Sequence, residues 1–124
     1  MKDKAEGKAH ESLKALASVD LDKLIHERSR LMVLTYLSTS DRGEAGFTEM
    51  RDGLGFTAGN LSVQIKVLEE AGYVSVDKRF VDNKSHTGVS LTSAGHHALS
   101  AYLEEMEVVI SSIKGGLNDG STAS

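Results

Sequence analysis

The 124-residue chain is 40% hydrophobic and 26% charged with a formal net charge of −4, which fits one globular domain with a modest core and argues against nucleic-acid binding through bulk positive charge. It has no cysteine, so disulfides, thiolate metal sites and thiol redox sensing are excluded. Its apolar runs are short and the opening MKDKAEGK lacks the apolar stretch of a signal peptide, so no membrane association is expected and a cytoplasmic location is the default. The acidity is concentrated late: residues 92–124 hold one basic and four acidic groups, whereas residues 56–91 hold four of each. Any affinity for DNA then has to come from a few local phosphate contacts.

Residues 1–8 are charged and poor in apolar groups, and a disordered N-terminus is expected there. The ordered domain is expected over residues 9–114. From Ala9 to Val19, Leu13, Leu16 and Ala17 form a narrow apolar stripe, the mark of a helix that lies on something else. Asp20 reads as the cap of a short turn through Leu21, Leu24 and Ile25, and Ser29 as the cap of the helix SRLMVLTYLS, which carries Leu31, Leu34 and Leu37. STSDRGEAG is rich in turn formers and reads as a loop. Phe47 is a candidate for one short strand. Thr48 reads as the N-cap of a short helix, EMRDGLG, which presents Met50 and Leu54 and ends at Gly53 or Gly55.

The most fully punctuated helix follows, in FTAGNLSVQIKVLEEAGYV. Thr57 is its N-cap, with Phe56 and Leu61 at the spacing of a hydrophobic staple. Leu61, Ile65 and Leu68 form one stripe with Gln64 at its margin, and Gly72 stops the helix with Tyr73 placed to pack back on Leu68. The opposite face holds Gly59, Val63, Lys66 and Glu70, flanked by Asn60 and Ser62. About two residues separate this helix from the short one before it, and so tight a glycine-containing turn is the signature of a helix-turn-helix, with one face of the second helix left outward.

After Gly72 the period changes from 3.6 to 2. Val74 and Val76, then Val89 and Leu91, alternate with small or polar residues, which predicts two strands joined across Arg79 to His86 by a turn at Asp82-Asn83-Lys84. Thr92 begins a last helix in which Leu99, Leu103, Met106, Ile110 and Ile113 follow a heptad seam. Gly115-Gly116 is expected to end it, leaving residues 115–124 as a disordered tail.

This order of elements resembles the winged-helix transcriptional regulators, and two segments sharpen the likeness. GNLSVQIKVLEEAGYV is similar to the recognition-helix signature of small stand-alone MarR/ArsR-like regulators, and SLTSAGHHAL to their strand-to-helix junction. The likeness covers roughly Leu21 to Leu103. It implies a mainly α fold with a small β-hairpin, a winged helix-turn-helix with N- and C-terminal dimerisation helices. It further implies a homodimer on a pseudo-palindromic operator, with each wing beside the minor groove or backbone. Positions 63 and 67, often basic or polar in the family, are valines here, and the chain has no proline.

On this reading Thr57, Gly59, Asn60, Ser62, Val63, Gln64 and Lys66 form the major-groove face of helix 57–72, and Lys78, Arg79 and Lys84 make phosphate contacts from the wing at 78–86. Gln64 is alternatively tied up at the core edge. Lys66 is the strongest single candidate. Arg51 is divided between a phosphate contact and a surface ion pair. Leu13, Leu16, Leu99, Tyr102, Leu103, Met106, Val109, Ile110 and Ile113 are the expected dimer interface, since a seam that outruns a small domain exposes a long apolar stripe. The partners expected are double-stranded DNA, a second copy of the chain and an unidentified small-molecule effector. Five histidines lack metal-ligand spacing, so neither a metal nor a cofactor is expected. The absence of metalloprotease, phosphate-loop and nucleophile-elbow motifs leaves no catalytic residue to name. The function expected is sequence-specific transcriptional regulation, read as repression. The alternative is a winged-helix protein-interaction module in which Val63 and Val67 form an apolar patch.

Overall fold

The computed structural model of the protein describes residues 21–122, with side chains through Asn118. The expected N-terminal helix with Leu13 and Leu16, and the cap at Asp20, lie outside the described residues. Two compact units are present, divided at Ser100, and Asp22–Ser100 is the one that carries the winged helix.

This unit opens with a single helical turn, α1 (Lys23–His26), capped by Asp22, whose Oδ1 accepts from the Leu24 N–H at 2.9 Å and from the Ile25 N–H at 3.4 Å. The central helix α2 (Arg28–Ser38) is capped by Glu27, not by Ser29: the longer carboxylate reaches the Arg30 N–H at 3.0 Å. Burial pushes the Glu27 carboxyl up, but hydrogen bonds from the Arg30 and Ser29 backbone and the charge of Arg30 outweigh it and hold the carboxyl below its ordinary value. Val33, Leu34 and Leu37 are the residues of α2 that reach the core, while Leu31 is only half-buried.

A 3₁₀ turn (Asp41–Gly43) leads into β1 (Glu44–Gly46), which pairs antiparallel with β3 (Lys84–Leu91) through Ala45 opposite Val89. The short strand expected at Phe47 therefore falls on the three residues before it. Phe47 instead starts α3 (Phe47–Leu54), with Gly46 as its cap and Thr48 inside the first turn. The pairing that buries Ala45 fixes the chain up to Gly46, so the helix can only start after it. Met50 is buried, Leu54 half-buried, and Gly55 closes α3 in the left-handed conformation at φ 71°. The Tyr36 hydroxyl of α2 donates to Glu49 Oε2 at 2.8 Å, tying α3 to the central helix.

Helix α4 (Ala58–Glu70) starts and stops where its caps predict. The Asn60 N–H donates to Thr57 Oγ1 at 3.0 Å. At the far end the Tyr73 N–H donates to the Leu68 carbonyl and the Gly72 N–H to the Glu69 carbonyl, each at 2.9 Å, the paired bonds of a Schellman motif that needs Gly72 at φ 82°. Leu61, Ile65 and Leu68 are buried against α2 and β2 (Val74–Val81). The sheet is antiparallel in the order β1-β3-β2.

Strands β2 (Val74–Val81) and β3 (Lys84–Leu91) form a hairpin longer than the sequence predicts. The ladder runs to Val81 opposite Lys84. The connection expected from Arg79 to His86 shrinks to two residues, Asp82 and Asn83, at φ 51° and 63°. Asp and Asn tolerate this conformation, and a two-residue loop of positive φ matches the strand twist, so pairing continues to the tip.

Thr92 caps the last helix, α5 (Ser93–Thr122): its Oγ1 accepts from the Gly95 N–H at 3.0 Å and its hydroxyl donates to the Gly72 carbonyl at 2.6 Å. A β-carbon on Gly95 would lie 2.1 Å from the Tyr73 carbonyl oxygen, so this close crossing of the start of α5 and the end of α4 requires glycine. The Leu-Thr-x-x-Gly run is thus a clamp on the end of α4. Gly115 and Gly116 do not end α5, which continues through both to Thr122. Neither takes the positive φ of a helix stop, and a glycine inside a helix costs only about 1 kcal/mol.

Candidate nucleic-acid interface

Side chains from elsewhere in the chain hold α4 at its middle and just past its end. At mid-helix, Arg30 donates from Nε to the Leu24 carbonyl at 2.7 Å and from Nη1 to Gln64 Oε1 at 3.0 Å, and lies 3.9 Å from Glu27. Gln64 in turn donates from Nε2 to Asn60 Oδ1 at 3.1 Å. At its end, the Tyr73 hydroxyl donates to Asp22 Oδ2 at 2.6 Å, and that hydrogen bond pushes the phenol above its ordinary value. Asp22 therefore caps α1 with one oxygen and anchors the end of α4 with the other. Arg30 and Asp22 were not among the residues the sequence singled out as positioning α4, and Tyr73 was expected only to pack back on Leu68, because the hydrogen-bond partners of all three are distant in the chain.

The outward face of α4 carries Thr57, Gly59, Asn60, Ser62, Val63 and Lys66, all exposed. Gln64 is half-buried and engaged with Arg30, so of the two expectations for it the core-edge one describes the structure. Its bond to Asn60 occupies the carbonyl oxygen of that side chain while fixing its orientation. Lys66 makes no ion pair among the described residues. A β-carbon on Gly59 would meet nothing within 4 Å. Nothing inside the protein requires glycine there, although alanine would favour the helix.

The wing places its cations on different faces. Lys78 lies opposite Thr87, on the face that includes Val76 and Val89, and Arg79 lies opposite His86 on the other. Arg79 pairs with the Asp77 carboxylate two residues earlier on its own strand, and that hydrogen bond holds its guanidinium above the ordinary value. Lys84 is exposed beside the turn. Neither lysine makes an ion pair among the described residues. Arg51 is paired with Asp52 at 3.1 Å, the bland outcome for that side chain. Phe80, which the sequence reading passed over, is 82% exposed on the wing.

A capped helix standing outward on a two-helix turn, clamped at its end and flanked by a hairpin, is the geometry of one family, whose model, the winged helix DNA-binding domain, matches residues 29–110. The chain belongs to that family. A sequence relative of the winged helix is an uncharacterized protein of Methanocaldococcus jannaschii, 29% identical over 84 residues that span 68% of this chain and 89% of the relative. Among solved structures, the transcriptional regulator homologue protein from Pyrococcus horikoshii OT3 is similar at a TM-score of 0.70 and 28% identity, over 83% of this chain and 97% of that one. A MarR family transcriptional regulator from Streptomyces coelicolor, solved in complex with DNA, shares the fold at a TM-score of 0.61 and 18% identity, over 92% of this chain and 69% of that one.

In the part of α5 beyond Ser100, Tyr102 is buried, and burial pushes its phenol above the ordinary value. Leu99, before the division, is buried as well. The seam residues after them differ: Leu103, Ile110 and Ile113 are 50%, 43% and 51% exposed, while Met106 and Val109 are half-buried. Leu117, one heptad step past Ile113 and 68% exposed, continues the spacing beyond the two glycines. Among the described residues no cluster of His, Asp or Glu gathers as a metal site, and no helix is long and apolar enough to cross a membrane.

Proposed function

We propose that the protein is a sequence-specific regulator of transcription, acting in the cytoplasm as a homodimer on double-stranded DNA, and a repressor. Helix 57–72 enters the major groove and the wing at 78–86 lies along the backbone or minor groove. The observation that carries this reading is the outward face of α4: it is small and polar apart from Val63, it makes no contribution to the core, and its glycine at position 59 serves no packing purpose in the free protein. Asn60, Ser62 and Lys66 supply hydrogen-bonding groups for base edges, and Val63 fits a thymine methyl. The Arg30–Gln64–Asn60 chain holds Asn60 in place, so Gln64 acts through its neighbour. Lys78, Lys84 and Arg79 supply phosphate contacts. The family membership and the DNA complex of the Streptomyces coelicolor regulator support the partner. The exposed heptad from Leu103 to Ile113 supports dimerisation, with Leu13 and Leu16 contributing from the N-terminal segment.

Selection from a random duplex pool with the full chain tests this. The expected product is a pseudo-palindrome with half-sites about one helical turn apart. A pool that returns no motif, or a protein that stays monomeric at micromolar concentration, would overturn the proposal. Val63, 58% exposed on the outward face, is the observation that favours the second reading, a protein-contact module, which the same selection would leave as the survivor.

A further inference from the structure

Phe80 is the most exposed large apolar side chain among the described residues, and neither the fold nor the interface above uses it. Val76, half-buried opposite Val89, is the last residue of β2 on its face of the sheet that is not exposed to solvent. Alternation puts Lys78 and then Phe80 on that same face, with Phe80 opposite Ser85 and one step before the Asp82–Asn83 turn. At about 3.3 Å per residue the ring stands about 13 Å along the strand beyond Val76, on a ladder that is paired to its tip. A regular two-residue loop keeps that tip stiff, so the ring is presented on a rigid element and loses little conformational freedom on contact.

Its neighbours indicate what it meets. Lys78 lies two residues before it on the same face, and Lys84, opposite Val81, lies on the reverse face of the ribbon next to the turn, both exposed and without an ion pair among the described residues. Of the flanking side chains only Val81, 49% exposed, is apolar. One ring and one valine are far too small for a stable protein interface. A ring with one lysine on its own face and a second on the reverse of the same narrow ribbon suits a groove whose two walls are negative and whose floor is apolar, as phosphates border the stacked bases of DNA.

Resting on the DNA-binding reading above, we propose that Phe80 is an apolar wedge: it enters the minor groove and loosens one base step while Lys78 and Lys84 hold the neighbouring phosphates. The wing then reads the deformability of the step it opens, favouring a flexible pyrimidine–purine step at a position that α4 does not touch.

The test uses the full chain and a duplex enriched by it from a random pool, with 2-aminopurine placed in turn at the steps beside each half-site. Phe80→Ala is expected to weaken binding about tenfold, within the range for losing one aromatic–base contact, and to leave the salt dependence unchanged because no charge is removed. Lys84→Ala should instead lower the salt slope by about one. Phe80→Leu, which keeps an apolar wedge, should retain most of the affinity. The 2-aminopurine at one step should brighten with the wild-type protein and stay quenched with Phe80→Ala. Melting temperature should be the same for Phe80→Ala and wild type, and a clear drop would overturn the inference by showing that the ring is packed. Equal affinity and equal fluorescence for Phe80→Ala would overturn the wedge and leave the DNA-binding reading standing. A change in self-association or in binding to anionic vesicles, with DNA affinity untouched, would overturn it too, whereas a wild-type protein that enriches no DNA would take both proposals down together.

Discussion

Helix α4 and the wing stand side by side in one fold, yet they are held in opposite ways. The helix is fixed by three buried leucine and isoleucine side chains, by its own caps, by a hydrogen bond from Arg30 to Gln64, and by one from Tyr73 to Asp22. Among the described residues, β2 carries no buried side chain beyond Val76, and the tip of the wing is fixed by strand pairing and a two-residue turn. Polar groups on α4 are therefore partly spent on positioning the helix, as Gln64 is, while Lys78, Phe80 and Lys84 are left to the solvent. A helix that reads base edges must keep its register to within a fraction of an ångström. A wing that supplies phosphate contacts tolerates looser support, because Coulomb attraction falls off gradually with distance.

Substitutions can break this contrast. The largest effect is expected from Leu68→Ala, which empties a fully buried position where α4 meets the core. It should cost about 3 kcal/mol in urea denaturation, whereas truncating Lys84 in the wing should leave stability within about 0.5 kcal/mol of wild type. If both variants lose the same stability, the wing is packed after all. Next in size is Gly59→Ala, for which affinity and stability should move in opposite directions. The added methyl meets nothing in the free protein, so the fold should gain about 0.5 kcal/mol, while DNA binding measured by anisotropy should weaken about fivefold as the methyl intrudes on the groove. Unchanged affinity would remove the reason given for that glycine.

A smaller effect concerns the Glu27 cap. Its folded carboxyl lies below the ordinary value of 4.5, so its contribution is fully present above that value and is lost as pH falls through the lowered one. With the side chain 39% exposed the contribution should be only about 0.5 kcal/mol, visible as a shallower acid limb of the stability–pH curve in Glu27→Gln. The smallest effect sharpens the account of the wing. Asp77→Asn removes the charge that pairs with Arg79, so the guanidinium turns to phosphate more readily and affinity at low salt should rise about twofold to threefold. A fall in affinity would instead mean that Asp77 orients Arg79 toward DNA.

The sequence alone determined what is local. The Thr57 cap reaches three residues along the chain, the Gly72 stop closes bonds within five, and the stripe Leu61, Ile65, Leu68 follows from helix pitch, so each was legible from spacing. Local signals also misled where two choices differ by little: Ser29 is the commoner cap, but Glu27 reaches the same N–H, and paired glycines at 115–116 weaken a helix without ending it. The wing's full length was missed because alternation continues through Lys78 and Phe80 with no buried partner to reveal it.

Tertiary structure decided the rest. Arg30 meets Gln64 across 34 residues and Asp22 meets Tyr73 across 51, and neither pairing follows from any period in the sequence, because a hydrogen bond between distant residues exists only once the core has set their separation. The same holds for Gly95 under the Tyr73 carbonyl and for the empty space above Gly59, two glycines alike in sequence and opposite in role. Caps and pitch made α4 a helix, and the packing of distant segments left one of its faces outward and fixed its middle and its end, because only the folded core determines which surfaces are used and which remain.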